Sequence, residues 1–176
     1  MADDPEMREA LRGSGFPEPK FKAYEVLTIR SGAESAKALA RRVFDEVWTQ
    51  GNLDLIDELF ASDCTSFDPV NGEVHGPDGV RGLISMYRTA FPDTRMTILH
   101  QLAERDWVAT HWTATGTHQG ELMGIPPTGT RVTVSGVQLM RLADGKIVEG
   151  TGVFDALGLL QQIGAVPAAA PVGAPA

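Results

Sequence analysis

The sequence predicts an α+β domain in which a curved antiparallel sheet wraps around helices. Two observations carry this: apolar residues recur three and four apart up to Phe91 but alternate from Thr94 onward, and only one short helical stretch follows that change. A third fixes the number of domains, because 176 residues leave room for one real core and no second.

The elements follow in order. Residues 1–30 are rich in Gly and Pro with scattered apolar residues, and read as an arm that either packs over the domain as a lid or dimer strap or stays loose. The domain spans 31–166. Ser31 and Glu34 form a capping box ahead of Ala36, Leu39, Ala40, Val43, Phe44, Val47 and Trp48, one buried helix face that Gln50-Gly51-Asn52 stops. Leu55, Ile56, Leu59 and Phe60 mark a short second helix, and Ser62-Asp63 reads as a polar connection. A third helix begins at Gly76-Pro77, carries Val80, Leu83, Ile84, Tyr87 and Phe91, and breaks at Pro92-Asp93. Strands are then expected from Thr94 to Leu102, at 106–118, at 129–142 and at 146–154, the last two joined by an Asp144-Gly145 hairpin turn. Asp155 caps a final helix through Leu157, Leu159, Leu160 and Ile163, closed by Gly164. The Ala/Pro-rich residues 167–176 form a tail with nothing to bury in fixed register.

Composition narrows the function. Hydrophobic residues at 43% and charged ones at 22% are ordinary for a globular protein. The 23 acidic against 15 basic residues give a net charge of −8, which repels phosphate backbones and anionic membranes, so neither nucleic acid nor a membrane surface is an expected partner. No apolar run approaches the roughly 20 residues of a membrane span, the N-terminus lacks a signal-peptide pattern, and the lone Cys64 cannot form an internal disulfide, so the expected location is cytoplasmic. No His-x-His, His-Glu-x-x-His or Cys-x-x-Cys pairing and no glycine-rich phosphate loop is present, so neither a metal nor a nucleotide cofactor is expected.

Several stretches together carry a resemblance: Val47-Trp48 with Gly51-Asn52, His75-Gly76-Pro77, Phe91-Pro92-Asp93, Gly116-Thr117-His118-Gln119-Gly120, Gly124-Ile125-Pro126-Pro127-Thr128-Gly129, Asp144-Gly145-Lys146-Ile147 and Leu159-Leu160-Gln161-Gln162-Ile163-Gly164. Over roughly residues 35 to 167 the chain resembles the SnoaL-like polyketide cyclases of the nuclear transport factor 2-like superfamily. The resemblance implies a cone-shaped α+β barrel, a homodimer through the sheet, and a pocket for a hydrophobic small-molecule intermediate. It leaves the reaction open, since one fold carries several chemistries.

In the aldol-type cyclases of that family an aspartate lies seven residues after the glycine of the Asp-Gly-Lys turn and a histidine seven before it. Counted from Gly145, those positions are Gly152 and Gln138, neither of which moves a proton near neutral pH. A supporting asparagine before proline corresponds to Asp68 in Asp68-Pro69. The expected catalytic candidates are Gln138, Asp68 and His111, which lies mid-strand in Thr110-His111-Trp112. Gly152, Gly136, Met140, Trp112, Met123 and Tyr87 are the expected substrate-binding residues, with the strand glycines either hollowing the pocket or marking a bulge. His75 reads as structural, His118 as a turn or interface residue, and His100 as partly exposed. Three functions stay open: a cyclase that templates a flexible substrate, including by a pericyclic cycloaddition; an acid–base cyclase or isomerase using Asp68 and His111; and a non-catalytic binding or assembly module.

Overall fold

The structure is a computed structural model of the chain and describes residues 23–167, with side chains from residue 32 onward. Residues 1–22 and 168–176, most of the expected arm and tail, lie outside the described residues. Of the described residues, those from Ala33 onward belong to one compact unit.

Helix α1 spans Ala23–Arg42, so Ser31 lies inside it rather than capping it. The helix then loosens into a π-helical segment, Val43–Thr49, which buries Val43, Phe44 and Val47 on one face. A 3₁₀ turn, Leu53–Leu55, leads into α2, Ile56–Leu59. Strand β1, Phe60–Asp68, runs through the stretch expected to be a polar connection, and β2, Gly72–His75, pairs back onto it. Helix α3, Gly76–Ala90, starts with Pro77 in its first turn, where a missing N–H costs nothing, and buries Val80 and Ile84.

Strands β3 (Arg95–Glu104), β4 (Trp107–Thr117), β5 (Arg131–Ala143) and β6 (Lys146–Phe154) form the antiparallel meander that the alternation predicts. Asp144 and Gly145 both adopt positive φ in the β5–β6 turn, the conformation that two-residue hairpins need. The six-stranded sheet has the order β2-β1-β6-β5-β4-β3. It is antiparallel except at one seam, where β1 lies parallel to β6. Helix α4, Ala156–Gln162, is capped by Asp155, whose carboxylate accepts from Gly158 N at 2.8 Å. Gln162 then pairs with a peptide of β5, donating to Thr133 O at 3.0 Å and accepting from Thr133 N at 2.9 Å. No helix among the described residues is long and apolar enough to cross a membrane.

Alternation along the strands sets which residues face the helices. Trp112 on β4, Val132, Val134 and Met140 on β5 and Ile147 on β6 join Phe44, Val47, Val80, Ile84 and Leu159 in one core. The Gly116–Gly120 stretch fastens the end of α3 to this core. Gln119 N and Gly120 N both donate to Ala90 O, and a Cβ on Gly120 would collide with the Thr89 carbonyl. His118 is fully buried against Phe91, with ring centroids 5.3 Å apart, and its Nδ1 accepts from Thr128 N at 3.3 Å. That explains its turn-and-core role and how the Gly-Thr-His and Pro-Pro-Thr-Gly stretches hold each other.

Candidate active site

Between the π-helical segment, α3, α4 and the inner face of the sheet lies a cavity of about 140 Å³. One part of its wall is apolar, from Val43, Phe44, Ile84, Phe91, Val134 and Leu159. Thr94 and Thr115 also line the cavity, and four further polar side chains, Ser66, Asp68, Tyr87 and Gln138, gather on another part of the wall.

The strand register explains that gathering. Gln138 pairs directly with Gly152 across β5 and β6, and Phe67 pairs with Thr151 across the parallel seam, so Asp68 continues that register to the level of Gly152. Asp68, Gly152 and Gln138 thus occupy one row on the inner face, and all three line the cavity. A Cβ on Gly152 would lie 3.0 Å from Gln138 Oε1, and one on Gly150 would lie 3.0 Å from Ser66 Oγ and 3.3 Å from Gln138 Nε2. The glycines therefore make room for the Gln138 amide as well as for open space. That amide is almost unengaged: its Nε2 donates only to Leu139 O, at 3.4 Å.

Asp68 is buried at the end of β1. Its Oδ1 accepts from Val70 N at 3.0 Å, Asn71 N at 2.8 Å and Asn71 Nδ2 at 2.7 Å. Its Oδ2 accepts only from the Tyr87 hydroxyl, at 3.3 Å, which stands equally far from Oδ1. Tyr87 in turn accepts from Asn71 Nδ2 at 3.3 Å. Burial first, and the neighbouring Asp68 charge second, push the Tyr87 hydroxyl well above its ordinary range, so it stays a protonated donor. Met140 and Trp112 also line the cavity. The Trp112 indole is buried, and its Nε1–H has no hydrogen-bond partner among the described residues.

Three expected residues belong elsewhere. His111 faces the other side of β4 from Trp112, as strand alternation requires, and lies outside the cavity wall. There Ser135 Oγ–H donates to Trp112 O at 3.0 Å, His111 Nε2 stands 3.3 Å from Ser135 Oγ, and His111 Nδ1 stands 3.3 Å from His100 Nδ1. Met123 is exposed at the tip of a tight turn closed by Leu122 and Ile125, where positive φ at Met123 and Gly124 sends its side chain outward while Leu122 is buried. Gly136 faces inward but leaves no space, because a Cβ there would come within 2.5 Å of Trp112 Cζ2 and 2.6 Å of Val153 O. It seats the indole instead.

Asn71, Ser66, Trp48 and Phe154 were absent from the expected set. Asn71 sits three residues past Asp68 in a turn that the sequence shows only as Pro-Val-Asn-Gly, and Ser66 lies on the strand that was read as a connection. Trp48, Tyr87, Phe154 and Trp112 form a chain of aromatic contacts with centroids 6.1 to 6.4 Å apart along the wall. Among the described residues no three or more His, Cys, Asp or Glu side chains come together as a metal site would require.

The chain is similar to known proteins in sequence and in fold. The family model for the SnoaL-like polyketide cyclases matches residues 38–163. A nogalonic acid methyl ester cyclase from Streptomyces nogalater is 32% identical over 116 residues, 65% of this chain and 87% of that protein. Among solved structures, a SnoaL-like polyketide cyclase from Jannaschia superposes with a TM-score of 0.72 at 28% identity, covering 77% of this chain and 95% of that one. AclR from Streptomyces galilaeus, described as a hydroxylase, superposes with a TM-score of 0.70 at 34% identity, covering 80% of this chain and 87% of that one. The matched residues run from α1 to the end of the capped helix α4, and so take in the whole cavity wall: this chain belongs to the SnoaL-like polyketide cyclase family.

Proposed function

We propose that this chain is a cofactor-independent cyclase that closes a ring in a hydrophobic polyketide-type intermediate by holding it folded in the cavity. The observation that carries this reading is the Gln138–Gly152 pair: the two residues meet in one row of the wall and neither can transfer a proton, at positions where the resemblance implies a histidine and an aspartate in aldol-type cyclases. Holding reacting carbons together can itself remove on the order of 7–11 kcal/mol of a barrier at the favourable extreme. A pericyclic cycloaddition needs only that, with a polarising hydrogen bond that the unengaged Gln138 amide can donate. The apolar remainder of the wall suits such a substrate and argues against a cone used only to present its outer face.

One observation favours a second reading. Asp68 and Tyr87 stand together in the cavity, and a carboxylate beside a phenol is a working acid–base pair. His111, on the other face of the sheet, takes no part in it.

The two readings differ in their response to pH and to Asp68→Asn. Templating expects ring closure of the native intermediate, followed by loss of the linear form, to hold a constant kcat from about pH 6 to about pH 9 in the presence of chelator, with Asp68→Asn keeping most of kcat. A kcat that tracks one ionisation and falls roughly a hundredfold or more in Asp68→Asn would overturn templating in favour of acid–base catalysis. Ready turnover of nogalonic acid methyl ester, the substrate for which the Streptomyces nogalater relative is named, would point the same way.

The active form on this reading is a homodimer joined through the outer face of the sheet. Leu102 on β3, Val137 and Leu139 on β5 and Val153 on β6 stand on that face, 72%, 40%, 39% and 59% exposed.

A further inference from the structure

Resting on the cyclase reading, we propose that Asp68 Oδ2 is the anchoring acceptor of the cavity, and that the substrate presents a hydroxyl donor, an enol or phenol, to it. The two oxygens of this carboxylate differ sharply. Oδ1 takes three N–H donors between 2.7 and 3.0 Å, which fix the β1–β2 turn. Oδ2 takes one long contact at 3.3 Å, from a hydroxyl that is shared with Oδ1. A buried carboxylate oxygen held this loosely is an acceptor with capacity left, and burial raises the value of filling it.

Among the described residues no Lys, Arg or His pairs with Asp68, so a ligand must supply the missing donor from outside the protein. The surroundings select its type. Across Gly152 the Gln138 amide offers both a donor and an acceptor, which complement a neutral unit carrying hydroxyl and carbonyl oxygens. Asn71 is a positioning residue: its Nδ2 bonds to both Asp68 Oδ1 and the Tyr87 hydroxyl, which fixes the carboxylate and leaves Oδ2 out of that bonding.

Paired aromatic probes test this without any turnover. Binding of 2-naphthol and of 2-methoxynaphthalene, the same ring with the donor capped, is measured by calorimetry on the full chain. The wild type is expected to favour the naphthol at least about tenfold. Asp68→Asn keeps an oxygen for the turn but replaces Oδ2 by a donor, so it is expected to bring the ratio close to one, with the methoxy affinity and the melting temperature unchanged. Tyr87→Phe removes the competing hydroxyl and is expected to keep or raise the ratio; if instead it abolishes the preference, Tyr87 and not Asp68 is the contact. Equal affinities in the wild type, an unchanged ratio in Asp68→Asn, no saturable naphthol binding, or Asp68-dependent binding of tetramethylammonium would each overturn the proposal. Because only binding is read, failure here leaves the cyclase reading standing, and failure of the turnover assay leaves the anchor standing.

Discussion

A carboxylate placed at position 152 would enter the cavity level with Asp68 and against the Gln138 amide, where two like charges share one poorly hydrated wall. Gly152→Asp is therefore expected to lower turnover at least about tenfold while the fold survives. Gly152→Ala brings its Cβ only to 3.0 Å from Gln138 Oε1, the far end of a flexible side chain that can swing aside. It is expected to keep most activity and to melt within a few degrees of the parent. Turnover and thermal melts of both variants check this, and a large loss of melting temperature in both would mean that the glycine serves the backbone rather than the pocket. His111→Ala breaks only the outer-face chain to His100 and Ser135, so turnover per protomer is expected to match the parent in the same assay.

The pairing of Gln138 with Gly152 was legible from counting alone, but only through a coincidence of registers. A regular two-residue hairpin at Asp144-Gly145 would set Gln138 opposite Thr151, on the wrong face. Arg141 pairs with Glu149 but Leu142 with Ile147, so a bulge at Val148 takes up one residue, and the residues seven either way from Gly145 come face to face. Nothing in the sequence announced that bulge. His111 and Trp112 show the opposite case: alternation stated that they face apart, but not which of them faces in. The indole's bulk, seated on Gly136, settles it.

Among the elements, helices and meander were readable because each holds one period long enough to show it, whereas β1 was not. Its buried residues, Phe60, Cys64 and Asp68, fall four apart rather than alternating, Phe67 is exposed, and the register against β6 shifts between Phe60 and Thr65, which erases the alternation. The β4–β5–β6 wall depends on Gly136, where an added methyl meets backbone as well as ring. Gly136→Ala is expected to cost about 1–3 kcal/mol of stability, read as a lower urea midpoint. The α3–β3 turn depends on Asp93, which accepts from Thr117 N at 2.6 Å and Thr117 Oγ1 at 2.8 Å. Those donors hold its carboxyl below the usual carboxylate range. A lowered folded value gives stability that is present above the unfolded value of about 3.9 and lost as pH falls through the folded one. Between about pH 5 and pH 3 the parent is thus expected to lose more melting temperature than Asp93→Asn, by a small margin because the group is exposed and screened.

In the molecule as a whole, the outer sheet face and the cavity wall are two sides of the same strands. A charge at the centre of that face should separate protomers without touching the pocket. Leu139→Glu is expected to run as a monomer in light scattering where the parent runs as a dimer, and a parent that is itself monomeric would remove the dimer from the proposal. The parallel seam between β1 and β6 has a further effect, on the order of events in folding. It joins Phe60–Phe67 to Ile147–Thr151, partners far apart in the chain, and the loop entropy of bringing them together comes before any reward. On the ribosome, Asp68, Tyr87 and Gln138 all emerge before their wall can close. Until the nine residues of β6 and then Leu159 of α4 follow, the wall around Phe44, Trp112 and Val134 stays open, and the pocket comes into being only with the end of the domain.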